Sequence, residues 1–285
     1  MRAEASRPGQ SDPISPTAYA TGHFWYRHGL SDEAFVTPQG IRLDRYARVV
    51  IAALKLFGGV SLDALMLARH RGIDARLAEA IDRGEVTQIV EIAAGLSPRG
   101  WRFRRRYGDR ITYIETDLPQ MAATKRALLA RGHFLGARHR VAELDALADD
   151  GPLSLTQLAA TLDPAQGTAI VTEGLVNYFD TDTARGMWRR FAQNLSRFPR
   201  GYYFADVYPQ AKKVEGLYAA FGKLLGAFVK GRLEPHFETS QDVVDEMKAA
   251  GFRRVTVFET YEIAETLDVA QVKGGDRVKI LEARC

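Results

Sequence analysis

Seven short apolar segments, most of them separated by longer stretches with helical periodicity, are the dominant pattern along the chain. Each segment has the length of a buried strand. Alternation of strands and helices predicts an α/β fold, with a doubly wound, seven-stranded, mostly parallel sheet and helices on both faces. We predict strands at 89–92, 111–114, 139–144, 168–172, 201–207, 254–258 and 278–283, the last two forming a hairpin-like pair.

A helical section precedes the first strand. Apolar residues at a period of 3.6 predict helices at 46–57, 62–74 and 75–81. The chain is therefore expected to divide into four parts. These are a polar, disordered leader at 1–14, a helical cap or lid at 15–85, a Rossmann-like domain at 86–285 and an insertion within that domain near 210–238.

Two strand ends carry residues typical of a nucleoside pocket. Gly95 follows the first strand, where a small residue lets the backbone approach a ligand. Ser97 and Pro98 suit the start of the next helix. Asp117 closes the second strand, 22 residues after Gly95, close to the roughly 20 residues of a dinucleotide-type unit. A carboxylate at that place accepts hydrogen bonds from both ribose hydroxyls. An ordinary βαβ unit with a solvated acid is the alternative.

Acidic residues also follow the third and fourth predicted strands. Asp145 ends the third strand and Glu173 the fourth. Ligands of doubly wound sheets bind outside the carboxyl ends of the strands. Small or acidic residues at four successive strand ends favour a binding site there, although Asp145 could instead cap a helix.

An aromatic segment at 16–30 has two interpretations. Tyr19, His23 and Tyr26 could line a partly wet substrate wall, since aromatic rings with polar tips suit such a surface. Alternatively, the segment is a helix that packs its aromatic face inward. His23 and His28 are candidate general bases, but a single histidine is more often structural.

The amino-acid composition narrows the class of protein. The chain has 285 residues, 46% of them hydrophobic and 26% charged, with a net charge of +4, which does not demand a nucleic-acid partner. The arginines at 102–106 fit a solvated helix face better than a phosphate site. A single cysteine, Cys285, excludes an internal disulfide and a thiolate metal site. No apolar run has the length of a membrane span, so we expect no membrane partner. We also expect a cytoplasmic enzyme that has no metal and no nucleic-acid partner.

The motifs at these strand ends resemble those of class I S-adenosylmethionine-dependent methyltransferases. Within that class they are similar to the leucine carboxyl methyltransferase family, which includes polyketide-type O-methyltransferases such as those of the tetracenomycin pathway. The matching segments, which lie within residues 15–210, are 68–74, 90–99, 113–119 with Lys125, and 172–178.

The resemblance implies roles for individual residues. It places Arg69 at the methionine carboxylate of S-adenosylmethionine and Glu173 at its amino group. The other cofactor-binding residues it implies are Ala93 and Gly95 in the turn, Asp117 and Leu118 at the ribose, and Asp145 and Ala146 at the adenine. The family usually has glycine where this chain has Ala93, so the turn carries an additional methyl group.

The expected function is transfer of a methyl group to a carboxylate or hydroxyl oxygen of a small molecule, with secondary metabolism as the setting that the polyketide-type members suggest. Tyr178, His23 and Tyr26, with Tyr19, are expected near the acceptor, and Tyr178, His23 and His28 are the candidate bases. One alternative is an NAD(P)-dependent oxidoreductase, but the full G-x-G-x-x-G fingerprint is absent. Another is a non-catalytic nucleoside-binding protein with the same fold.

Overall fold

The computed structural model describes residues 16–58, 61–209 and 236–285. Seven strands form one sheet in the order β3-β2-β1-β4-β5-β7-β6. The first five strands are mutually parallel, and β7 lies antiparallel between β5 and β6. The strands are β1 (Gln88–Ile92), β2 (Thr112–Asp117), β3 (His139–Glu143), β4 (Thr168–Thr172), β5 (Gly201–Val207), β6 (Arg254–Glu259) and β7 (Lys279–Arg284). The predicted fold class is confirmed.

Nine α-helices are present in the described parts of the chain. They are α1 (Pro16–Arg27), α2 (Pro38–Gly58), α3 (Leu62–Asp82), α4 (Arg99–Tyr107), α5 (Pro119–Arg131), α6 (Leu155–Ala159), α7 (Thr181–Leu195), α8 (Ser240–Ala250) and α9 (Leu267–Ala270). The expected leader at 1–14 and most of the expected insertion near 210–238 lie outside the described residues.

The predicted division into one helix at 62–74 and another at 75–81 is wrong, because α3 is a single helix. Glycine weakens a helix interior, but Gly72 has a packing role here. A Cβ atom at this position would lie 2.6 Å from Cγ1 of Ile280 on β7. The missing side chain therefore lets α3 lie close against the sheet.

One helix start differs from the sequence prediction, and another has a complete capping motif. Helix α4 begins at Arg99 with Pro98 as its cap residue, one residue later than expected, and Ser97 Oγ accepts from the Arg99 N–H at 3.2 Å. Helix α8 is capped by Thr239. Thr239 and Asp242 form a reciprocal capping box, in which each side chain accepts from the backbone N–H of the other.

The two faces of the sheet carry different side chains, because successive residues of a strand point to opposite faces. Val90, Ile92 and Ile170 pack against α7 and α8 in an apolar core. On the other face, Ile89, Tyr113 and Phe204 pack against α3 and α4 in a second core. Towards the carboxyl ends of β1 and β2, this second face also carries the buried acids Glu91 and Glu115.

The N-terminal helix α1 lies over the turn that follows β1. A Cβ atom at Gly22 of α1 would lie 2.8 Å from Cβ of Leu96, and one at Gly95 would lie 3.4 Å from Cβ of Ala18. Further along α1, Trp25 is buried and its ring stacks on His70 of α3 with the centroids 4.2 Å apart. Helix α1 therefore covers the sheet edge at which the predicted site residues lie.

Candidate functional site

The turn after β1 has an unusual backbone. Both Ala93 and Gly95 have positive φ, at 54° and 49°. The left-handed region costs a residue with a Cβ atom about 1–2 kcal/mol, which gives a physical reason for glycine at position 93. Alanine keeps the same turn here, although under strain.

Asp117 joins the end of β2 to this turn. Its Oδ2 atom accepts from the Gly95 N–H at 2.8 Å, and its Oδ1 atom accepts from the Leu118 N–H at 2.9 Å. Leu118 is 37% exposed, so an apolar side chain stands beside the carboxylate. The structure therefore brings together Gly95, Asp117 and Leu118, which the sequence placed at two separate strand ends.

Asp145 and Ala146 follow β3 at the same edge of the sheet. The N–H of Leu144 donates to the Asp117 carbonyl at 2.9 Å, which places Asp145 next to the end of β2. Its Oδ1 atom accepts from the N–H of Leu147 at 2.9 Å. The side chain thus closes a local turn, and both Asp145 and Ala146 are only half-buried.

Arg69 and Glu173 form an ion pair with each other. Arg69 Nε donates to Glu173 Oε1 at 2.9 Å, and both side chains are largely buried. The Arg69 guanidinium also lies 3.4 Å from the hydroxyl of Tyr208 and 3.8 Å from Oδ2 of Asp206. Asp206 Oδ1 in turn accepts from the Gly174 N–H at 2.7 Å. Opposite charges are therefore held side by side at the ends of β4 and β5.

The fully buried Arg99 lies behind this pair. Its guanidinium contacts three carboxylates, with Nε 2.5 Å from Asp74 Oδ1, Nη1 2.6 Å from Glu91 Oε1 and Nη2 2.5 Å from Glu173 Oε2. Burial alone would raise the pKa of Glu173, but His70, Arg99 and Arg69 outweigh it and hold that pKa well below its usual value. Glu173 is therefore ionised at neutral pH.

His70 connects the charged side chains of this network. Nδ1 lies 2.8 Å from Glu173 Oε2, and Nε2 lies 3.1 Å from Arg102 Nη1. Nδ1 also lies 3.0 Å from Arg99 Nη2, and Nε2 lies 3.7 Å from Asp74 Oδ2. Charged groups therefore surround both ring nitrogens.

Six residues of this network were given no role from the sequence: His70, Asp74, Glu91, Arg99, Asp206 and Tyr208. His70 and Arg99 stood inside the motifs quoted above, next to Arg69 and four residues after Gly95. Asp206 ends β5 as the other acids end their strands, which was a usable signal. Tyr208 follows a strand end without a recognisable pattern.

Of the tyrosines expected to line the substrate site, one is buried in the protein and two are exposed. Tyr19 is buried against Leu96 and Met121, as the alternative of an inward aromatic face expects. Tyr26 and Tyr178 are 41% and 38% exposed. The Tyr178 hydroxyl hydrogen-bonds Thr17 of α1, and burial raises the pKa of Tyr178 although Arg69 opposes it. Tyr178 is therefore protonated at neutral pH and is a poor general base.

The two histidines of α1 have different surroundings. His23 Nδ1 lies 2.9 Å from Oδ2 of the buried Asp44 on α2. This geometry is that of a histidine oriented by a carboxylate. Burial, followed by the charge of Arg27, lowers the pKa of His28, and its Nε2 lies 3.6 Å from Asp63. Of the two histidines, His23 has the closer carboxylate and the more deeply buried one.

Within residues 16–58, 61–209 and 236–285, no group of three or more His, Cys, Asp and Glu side chains is placed to hold a metal ion. In that part of the chain, no helix combines the length and apolar character needed to cross a membrane.

The sequence also matches known proteins. Residues 33–192, more than half of the chain, match the family described as leucine carboxyl methyltransferase, and the chain belongs to this family. The family expected from the motifs is thereby confirmed.

Relatives carry the same general description. A putative S-adenosyl-L-methionine-dependent methyltransferase from Frankia alni is 35% identical over 123 residues, which are 43% of this chain and 42% of the relative. One from Mycolicibacterium smegmatis is 30% identical over 187 residues, 63% of this chain and 53% of the relative. The matches thus span about half the length of these relatives.

Solved structures share the fold at low identity. A putative methyltransferase from Thermobifida fusca has a TM-score of 0.63 at 15% identity, with 99% of both chains covered. A structure described as PigF with SAH has a TM-score of 0.55 at 15% identity, with 96% of this chain and 71% of that chain covered. At this identity the likeness concerns the fold alone.

Proposed function

We propose that the protein is an S-adenosylmethionine-dependent O-methyltransferase that acts on a carboxylate or hydroxyl oxygen of a small molecule. The observation that carries the proposal is the Asp117 carboxylate, held 2.8 Å from the Gly95 N–H and beside the exposed Leu118. A carboxylate next to an apolar side chain suits a ribose and the base attached to it. Family membership and the names of the relatives support this cofactor over a nicotinamide.

The buried ion pair suits the amino-acid end of the cofactor. A methionine moiety carries one carboxylate and one ammonium group, so its site needs a cation and an anion close together. Arg69 would pair with the carboxylate, since a guanidinium binds carboxylates with two donors. Glu173, with Asp206 beside it, would accept from the ammonium. The low pKa of Glu173 keeps that acceptor charged at neutral pH.

The remaining roles follow from position at the same sheet edge. Ala93 and Gly95 would pass the cofactor by backbone contact, and Asp145 with Ala146 would meet the adenine. Tyr178 and Tyr26, both partly exposed, would face the acceptor. The buried Tyr19 would support that wall from behind.

The chemistry is a displacement at the sulfonium methyl group. A new O–C bond forms as the S–C bond breaks, and the electron pair of that bond neutralises the sulfur. Alignment of donor and acceptor supplies most of the rate gain, because proximity and orientation contribute on the order of 7–11 kcal/mol in favourable cases. A carboxylate acceptor needs no base. A hydroxyl acceptor would lose its proton to a base, and the His23–Asp44 pair is the best placed candidate.

Calorimetric titration tests the cofactor. We expect the purified protein to bind S-adenosylmethionine and S-adenosylhomocysteine but neither NADH nor NADPH. Asp117→Ala should lose about 100-fold in affinity, since hydrogen bonds to a charged group are worth about 1.5–3 kcal/mol each. Asp163→Ala is the matched control, because Asp163 is exposed and precedes β4 at the opposite edge of the sheet.

Transfer of a labelled methyl group to a panel of small carboxylic acids, phenols and alcohols tests the reaction. Oxygen methylation of a panel member is the expected result. Binding of a nicotinamide in place of the methionine nucleosides would overturn the proposal. Cofactor binding without transfer to any acceptor, including an extract of small metabolites, would instead favour the non-catalytic alternative.

A further inference from the structure

A buried lysine lies under the turn that joins β1 to α4. Lys125 of α5 is 1% exposed, and its Nζ atom donates to the carbonyl oxygens of Ser97 at 2.6 Å and of Gly95 at 3.2 Å. These two carbonyls belong to the turn whose Gly95 N–H is bound by Asp117. A fully buried ammonium group is rare unless it is paired, so its position needs a reason.

The ammonium group is held in place from the other side. Lys125 forms an ion pair with Glu115, which is fully buried on β2. The other oxygen of Glu115 lies 2.7 Å from Nε2 of His139 on β3, and His139 Nδ1 lies 2.9 Å from the Phe134 carbonyl. The lysine is thus the end of a chain of buried contacts that runs from β3 through β2 to the turn.

The turn requires external contacts to keep its shape. Ala93 has a φ of 54°, which is unfavourable for a residue with a Cβ atom, and Gly95 and Ser97 lie in no helix or strand. Asp117 binds the N–H of Gly95, whereas Lys125 binds the carbonyl of the same residue. Both sides of Gly95 are therefore fixed by charged side chains, and charge-assisted hydrogen bonds are about twice as strong as neutral ones.

We propose that Lys125 is a positioning residue, which sets the cofactor affinity of the site by holding the carbonyls of Gly95 and Ser97 without touching the cofactor. This inference rests on the proposed function, because it needs the turn to contact S-adenosylmethionine. A purely structural role for the Lys125–Glu115 pair is the competing account.

Two variants separate these accounts. Lys125→Met and Glu115→Gln each break the same buried ion pair, so both should lower the melting temperature. Only Lys125→Met removes the hydrogen bonds to the turn. We expect it to lose about ten-fold or more in affinity for S-adenosylhomocysteine, since 1.4 kcal/mol corresponds to ten-fold. Glu115→Gln should stay within about three-fold of the wild type, which is less than 1 kcal/mol.

The double variant Lys125→Met/Glu115→Gln covers the case in which a single variant does not fold. It leaves no unpaired buried charge and should recover melting temperature, yet it should keep the affinity loss of Lys125→Met. Hydrogen exchange of the ligand-free proteins provides a second measurement. The Gly95 amide should exchange faster in the double variant than in Glu115→Gln.

The outcomes are distinct. Equal affinity in the wild type, Glu115→Gln and the double variant would overturn the positioning role and leave the proposed function intact. Equal affinity losses in Glu115→Gln and the double variant would also overturn it, in favour of the structural account. A wild-type protein that binds no methionine nucleoside would overturn the proposed function, and this inference with it.

Discussion

The two faces of the sheet differ in how they are held together. The face towards α6, α7 and α8 has an apolar core, with Trp188, Phe191 and Leu195 packed on Val90 and Ile170. The face towards α3, α4 and α5 begins as an apolar core, but near the carboxyl ends of the strands it becomes a layer of buried charges. That layer comprises Arg69, Asp74, Glu91, Arg99, Glu115, Lys125 and Glu173.

We infer from this difference that the apolar face contributes mainly to folding stability and the charged face mainly to binding. Apolar burial is the main favourable contribution to folding. The attraction within a buried ion pair offsets the free energy of desolvation only when the geometry is good and further hydrogen bonds are present. The charged layer includes Glu173 and lies next to the turn that Asp117 and Lys125 bind at Gly95. We therefore interpret it as the support of the binding site, which costs more to build than an apolar core of the same volume.

The largest expected effect comes from Arg99. Arg99→Met should lower the free energy of unfolding by about 3–5 kcal/mol, because three carboxylates would lose their shared buried cation. Arg106→Met, on the same helix, should cost less than 1 kcal/mol, since its side chain is 61% exposed and its pair with Asp82 lies at the surface. Urea unfolding measures both. Similar costs for the two variants would contradict the assignment of a buried charge network.

On the apolar face, Leu195→Ala should cost about 2–5 kcal/mol, the usual range for emptying a buried leucine site. Unlike the charged layer, this face should not influence binding. The affinity for S-adenosylhomocysteine, measured by calorimetry on the folded variant, should equal that of the wild type. A clear affinity loss would show that the two faces are coupled.

The charged layer should also make the free energy of unfolding depend on pH in the acidic range. His70, Arg99 and Arg69 overcome the effect of burial and hold the pKa of Glu173 well below its usual value of 4.5. A depressed carboxyl pKa contributes stability that is fully present above the unfolded value and is lost as pH falls towards the folded value.

Glu173→Gln should therefore flatten the fall of unfolding free energy below about pH 4.5, by up to about 1.4 kcal/mol per pH unit for one proton. Glu143→Gln, at an exposed position on β3, serves as the control. An unchanged acid slope in Glu173→Gln would mean that this carboxylate is not the one protonated on unfolding.

The smallest effect concerns the turn itself. Ala93→Gly should raise the free energy of unfolding by up to about 1 kcal/mol, because relief of the left-handed strain exceeds the added chain entropy. Ala94→Gly should lower it by about 0.5–1 kcal/mol, since Ala94 is buried and does not share the positive φ. Thermal unfolding distinguishes the two signs, and the same sign for both would contradict the strain at Ala93.

The strands were predictable because buried parallel strands appear as short apolar runs, and each of the seven predicted segments overlaps an observed strand. The continuity of α3 as one helix could not be predicted, because Gly72 packs on Ile280, a residue distant in sequence. The carboxyl-end positions of Gly95, Asp117, Asp145 and Glu173 also followed from the pattern.

The burial of Arg99 and Lys125 in the charged layer could not be predicted from the sequence, for a physical reason. Arg99 begins the arginine-rich α4, whose next charged residues are partly or fully exposed, so its sequence context suggests a solvated face. Its burial depends on Asp74, Glu91 and Glu173, which come from three distant parts of the chain. Likewise, the contact of Lys125 with two carbonyls 28 and 30 residues earlier leaves no periodic signal.

Hydrogen exchange with and without S-adenosylhomocysteine tests the central claim most directly, because it locates the ligand on one edge of the sheet. We predict slower exchange on binding at residues 93–97, at 117–118, at 145–147 and at 173–174, and no change in α7 and α8. Protection confined to α7 and α8, or no protection under saturating ligand, would contradict the assignment of the cofactor site to the charged side of the sheet.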